Sequence, residues 1–103
     1  MNEAVKVLDF LKANAENFVP EVSTVDKRDY SVVSYTYEMY PEDLPEFIGE
    51  HLSNPESLEF KVTINEEMVD LRFDSADECT HICILTNEDD GLIDFLNSFG
   101  LAN

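Results

Sequence analysis

LEFKVTINEEMVDLRFDSADECTHICILT, residues 58–86, is the stretch whose reading decides the fold. Leu58, Phe60, Val62 and Ile64 alternate with Glu59, Lys61, Thr63 and Asn65, and Val69, Leu71 and Phe73 alternate with Asp70, Arg72 and Asp74. A period of two sends the apolar set to one face of a strand and the polar set to the other. Asn65–Met68 reads as a turn between antiparallel strands, setting Ile64 against Val69, Val62 against Leu71 and Phe60 against Phe73. A slip of one residue would turn every apolar side chain to the wrong face, so the register is strongly specified. On the polar face Thr63 meets Asp70, Lys61 meets Arg72 and Glu59 meets Asp74. The last two pairs carry like charges, but their diagonal neighbours are of opposite sign. Lys61 and Arg72 are therefore expected to be structural, paired within a local network. Asp74–Glu78 supplies a second turn and Cys79–Thr86 a third strand, in which Ile82 and Ile84 continue the core face while Cys79, His81 and Cys83 lie opposite. Leu85 makes that strand nearly continuous in apolar character, as in a central strand or one covered on both faces.

Upstream, Ala4, Leu8, Leu11, Ala15 and Phe18, with Val7 beside them, have helical spacing from residue 3 to about 18, with Asn2 as the cap and Pro20 as the stop. Val22–Val25 can form a short strand, and Asp26-Lys27-Arg28-Asp29 a turn. A longer strand follows from Tyr30 to Met39, with Val33, Tyr35, Tyr37 and Met39 sharing one face. Pro41 and Pro45, with Glu42 and Asp43 between them, suit the first turn of a helix lined by Leu44, Phe47, Ile48 and Leu52 and ended by Ser53-Asn54-Pro55. Leu92, Phe95, Leu96 and Phe99 space a last helix closed by Gly100. The order α-β-α-β-β-β-α predicts an α+β fold: an antiparallel sheet of about four strands, a short extra strand at 22–25, and helices packed on one face. At 103 residues, 44% hydrophobic and 11% aromatic, the chain is read as one compact domain spanning residues 1–103.

Charge is the second signal. Twenty-three Asp and Glu stand against six Lys and Arg, a formal net charge of −17, where solubility asks for only about 2 to 8 charges. Residues 1–37 hold six acids and four bases; residues 38–103 hold seventeen acids and only Lys61 and Arg72. Such a chain repels nucleic acid and anionic membranes, so its natural partner is a basic protein. No secretory signal is expected from Met1-Asn2-Glu3-Ala4-Val5-Lys6, and no apolar run is long enough for a membrane span. Two cysteines without an export signal point to thiols in the cytoplasm, that of an infected host if the gene belongs to a phage.

Motifs of chemistry are weak by comparison. Cys79, His81 and Cys83 are ligand types that zinc prefers, but on a strand the two cysteines stand about 13 Å apart at Cα, too far for one tetrahedral ion or a disulfide. Asn87-Glu88-Asp89-Asp90-Gly91 resembles a calcium loop only loosely, since Thr86 and Asn97 would fill its first and last ligand positions; acids at a helix N-terminus explain it better. No nucleophile elbow, paired-histidine metal motif or glycine-rich phosphate loop is present, so no enzyme, metal or cofactor is expected.

What remains is the acidic surface. Glu42, Asp43, Glu46 and Glu50 recur at helical spacing, and Glu88, Asp89, Asp90 and Asp94 gather at the last helix, with Tyr40 as an aromatic anchor. DNA presents one negative charge per roughly 1.7 Å of its axis, and carboxylates spaced along a ridge can occupy a groove built for phosphates. The expected function is thus a small inhibitor that docks on the basic surface of a nuclease or other nucleic-acid-binding protein, of the anti-restriction or anti-CRISPR kind. The alternative is an immunity protein or antitoxin, whose specificity would rest on apolar contacts such as Tyr35, Tyr37 and Tyr40, with charge supplying on-rate. A metal protein or enzyme built on His81, Cys79 and Cys83 is a third and weaker reading. Adaptation to high salt would give the same acidic excess, though the aromatic content does not favour it.

Overall fold

Residues 3–27, 34–86 and 91–99 are described by the computed structural model. The elements are α1 (Glu3–Ala13), β1 (Pro20–Asp26), β2 (Ser34–Glu38), α2 (Leu44–His51), β3 (Glu59–Ile64), β4 (Met68–Asp74), β5 (Glu78–Leu85) and α3 (Leu92–Ser98). Single 3-10 turns at Ala15–Asn17, Pro41–Asp43 and Pro55–Ser57 join them. The expected cap at Asn2, the Arg28-Asp29 half of the first turn, the strand start at Tyr30–Val33 and the helix stop at Gly100 lie outside the described residues.

The five strands form one antiparallel sheet in the order β2-β1-β5-β4-β3. The β3–β4 hairpin has the register its alternation demands, with Phe60 opposite Phe73, Val62 opposite Leu71 and Ile64 opposite Val69. Central β5 is paired on both sides, Ile82 facing Leu71 on β4 and Val22 on β1. The short strand expected at 22–25 is thus a full member of the sheet, lengthened to Pro20–Asp26 and placed second from the edge. Sequence left it short because its open face reads Glu21, Ser23, Val25 and its core face starts at a proline; β5 and β2 together supply the pairing that its own composition does not advertise.

Core rows run across the strands. Val22, Ile82, Leu71 and Val62 make one, and Ile84 and Val69 the next, all buried. Onto this face pack Ala4, Val7, Leu8 and Leu11 of α1, Leu44, Phe47 and Ile48 of α2, and Leu92 and Leu96 of α3, in one continuous apolar cluster. Phe10 stacks on Phe95 with ring centroids 4.2 Å apart, locking α1 to α3. The opposite sheet face carries no helix among the described residues.

The first helix is shorter than its apolar spacing suggests. At Asn14 the side-chain amide donates to the Phe10 carbonyl at 2.9 Å and the backbone leaves the helical region (φ −119°, ψ 19°), ending α1 at Ala13. The following 3-10 turn still brings Ala15 and Phe18 into the core.

Arg72 is held differently from the expected Lys61 network. Its guanidinium donates to Asp74 Oδ2 at 2.9 Å, and Asp74 Oδ1 receives Lys27 Nζ from the end of β1. These hydrogen bonds, Lys27's first, hold the Asp74 carboxyl below the usual carboxylate range. A depressed folded value means that the stabilisation is complete above the carboxyl's unfolded pKa and fades as pH falls through the folded one. On acidification from neutrality to below pH ~4, the wild-type chain should therefore lose more unfolding free energy than Asp74→Asn, as measured by urea titration at each pH. Parallel pH profiles would show that Asp74 is not so held.

Candidate functional site: the open face of the sheet

On the face without helices, side chains fall into rows set by the register. Glu38 of β2 lies opposite Glu21 of β1, Glu21 opposite Cys83 of β5, and Cys83 opposite Asp70 of β4. The next row holds Thr36, Ser23, His81 and Arg72, and the third includes Val25, Cys79 and Asp74. Glu21 and Glu38 are both exposed. Like charges directly opposite on adjacent strands repel.

Toward the other end of the strands the face turns apolar. Leu85 lies opposite Met68, and Val19 precedes Pro20, itself opposite Ile84. The Met39 amide donates to the Pro20 carbonyl at 3.3 Å, which carries the chain past β1 to Tyr40. Tyr40, Val19, Leu85 and Met68 so border a groove of about 460 Å³, with Glu21 and Glu38 on its rim. Val19, Tyr40 and Leu85, at 62%, 73% and 48% exposure, are the large apolar side chains left exposed among the described residues, and all three line this groove.

The middle of the face holds a polar cluster. Cys79 Sγ is 3.5 Å from His81 Nε2, and His81 Nδ1 is 3.2 and 3.3 Å from the two oxygens of Asp70. The Cys83 thiol donates to Asp70 Oδ1 at 3.4 Å. Thiol, imidazole and carboxylate stand in the order of a nucleophilic relay, but Cys79 is only 5% exposed. The backbone amides of β5 are committed to ladders on both sides, so they are not free to stabilise an oxyanion beside it. Both cysteines are free thiols, and no group of three His, Cys, Asp or Glu side chains able to hold a metal occurs among the described residues.

The residues singled out from sequence separate into distinct places. Tyr40 stands at the groove, and Glu42 and Asp43 follow it on the exposed 3-10 turn. Glu46 and Glu50 are exposed on α2, whose apolar side packs on the core face, so they look away from the sheet. Asp94 is exposed on α3, a separate helix, while Glu88, Asp89 and Asp90 lie outside the described residues. Tyr35 and Tyr37 hold register positions opposite Thr24 and Val22. Sequence reasoning missed Val19, Glu21, Glu38 and Leu85. The alternation Val19, Glu21, Ser23, Val25 across Pro20 is the signal that could have found the first two; Glu38 and Leu85 join them only through strand pairing.

Burial first, and then the negative charge of Asp70, pushes the Cys83 thiol up to about 12. At pH 8 it is thus almost wholly protonated and poorly nucleophilic. Mass-spectrometric mapping after iodoacetamide treatment should find Cys83 alkylated about a hundredfold or more slowly than a free thiol of pKa ~8.5, and Asp70→Asn should accelerate it. A Cys83 rate equal to that of a free thiol would contradict the assignment.

Comparison with protein-family models, with curated proteins and with solved structures finds no match to this chain.

Proposed function

We propose that this chain is a small acidic binding module that docks on the basic surface of a protein partner and inhibits it, most naturally by occupying the nucleic-acid-binding cleft of a nuclease or related enzyme. The observation carrying this reading is the division of labour between the charges. Lys12 pairs with Asp9, Lys27 and Arg72 both pair with Asp74, and Lys6 lies 5.2 Å from the Phe99 ring centroid. These four bases are thus engaged locally. Glu42, Asp43, Glu46 and Glu50 meanwhile stand exposed along one turn and helix, and Glu21 and Glu38 along the open sheet.

A formal charge of −17 accelerates encounter with a cationic surface and makes the affinity fall with salt. Tyr40, 73% exposed, favours a second reading alongside the first: an immunity protein or antitoxin whose cognate toxin is recognised through an aromatic contact while charge sets the on-rate.

Replacing Glu42, Asp43, Glu46 and Glu50 together by Lys should weaken binding to a basic nuclease captured from lysate by about tenfold or more and flatten the salt dependence. Tyr40→Ala would exceed the effect of any single acid under the immunity reading. Unchanged affinity and salt slope in the fourfold variant would remove the electrostatic reading.

A further inference from the structure

We infer that the groove bordered by Tyr40, Val19, Leu85 and Met68 is the anchoring site for an extended segment of a basic protein, one that presents a large apolar side chain beside an arginine or lysine. The inference rests on the reading of the chain as a binder of basic proteins and gives that reading a place and a recognition rule.

Two features coincide there. The exposed large apolar side chains of the described residues all gather at this one groove, where scattered exposure would be the ordinary pattern. Immediately beside it, Glu21 and Glu38 face each other across the β1–β2 ladder, a repulsive pair with no base in its row. A guanidinium lying between the two carboxylates would cancel the repulsion and donate hydrogen bonds to both, and its flat face can stack on a neighbouring tyrosine. Cys83, the next member of the row, is a neutral thiol that does not compete for that cation.

The strand geometry supplies the spacing. Leu85 stands two residues along β5 from Cys83, a step of about 6.6 Å, and Val19, just before β1, stands two residues from Glu21. An extended partner segment places alternate side chains at that same interval, so an apolar residue in the groove puts the residue two positions away over the acidic pair. The rest of the chain selects the same occupant. A net charge of −17 opposes a second copy of this chain, an anionic membrane or a nucleic acid at this surface, whereas it draws in a cationic segment.

The test is a library of peptides of about ten residues, all with the same number of Lys and Arg and differing in whether a large apolar residue is present and where. Binding to the intact chain is read by fluorescence anisotropy at low and moderate salt. The expected result is selection of an apolar or aromatic residue two positions from Arg or Lys. Val19→Thr with Leu85→Thr, and separately Glu21→Gln with Glu38→Gln, should then weaken the selected peptide about tenfold, while Asp77→Asn with Glu78→Gln, exposed at the far end of β5, changes it by less than about twofold. All these side chains are exposed, and circular dichroism confirms that each variant stays folded. Binding that tracks basic residues alone and ignores the groove variants would overturn the groove while leaving the acidic reading in place. Failure of every basic peptide to bind above a neutral control at low salt would overturn both. A concentration-dependent dimer abolished by Leu85→Thr would assign the groove to a second copy and likewise overturn the inference.

Discussion

The structure depends on β5 being paired on both sides while, among the described residues, helices cover only one of its faces. Ile82 sits between Val22 and Leu71 in the middle of the core row, and the strand bearing it can be neither lengthened nor shifted without moving both ladders. A shift of one residue would exchange Ile82 and Ile84 for His81 and Cys83 and place an imidazole in the apolar layer. Three helices supply the cover on the core side. Among the described residues the other face carries no helix, and the same alternation fixes what stands on it: the side chains of a five-strand platform that are not those of the apolar core.

That platform separates into a part that maintains the structure and a part that does not. Asp74 gathers Lys27 and Arg72, tying the end of β1 to β4. Asp70 gathers His81 and the Cys83 thiol. Both carboxylates are partnered, and between them they engage Lys27, Arg72, His81 and Cys83. Glu21 and Glu38 are arranged in the opposite sense, acid against acid, at the border of an apolar groove. Stable folds tolerate such local conflict where a surface has another use, and on the proposed reading that use is the docking of a cationic partner.

The hairpin at 59–74 was legible in sequence to the residue, because strict alternation on both strands admits one register. The core stripe of α2 was equally legible in Leu44, Phe47 and Ile48, while of the four apolar positions expected on α3 Leu92 and Leu96 are buried and Phe95 and Phe99 pack half-buried against the core. The end of α1 was less legible, since Asn14 acts through a side-chain bond to Phe10 that spacing does not reveal. β1 was weakest, with serine, threonine and a leading proline that become a strand only because β5 and β2 lie alongside. The candidate site inherits that weakness. Acids on α2 and the aromatic Tyr40 could be listed from composition and local spacing, but the meeting of Val19, Glu21, Glu38 and Leu85 is a product of non-local pairing. Residues 19 and 85 come from opposite ends of the chain, and no pattern within either segment signals the other.

The central claim is that the open face keeps a like-charge pair poised for a cation, and a double-mutant cycle on that pair tests it without any partner. Glu21→Gln and Glu38→Gln are measured singly and together by chemical denaturation at low and high salt. The account predicts that each single variant is more stable than the wild type by about 0.2–1 kcal/mol. The double variant should gain little beyond one of them, and the gain should shrink as salt screens the charges. Single variants that are neutral or less stable, with no coupling between them, would show that the two carboxylates are not in conflict and would contradict the account.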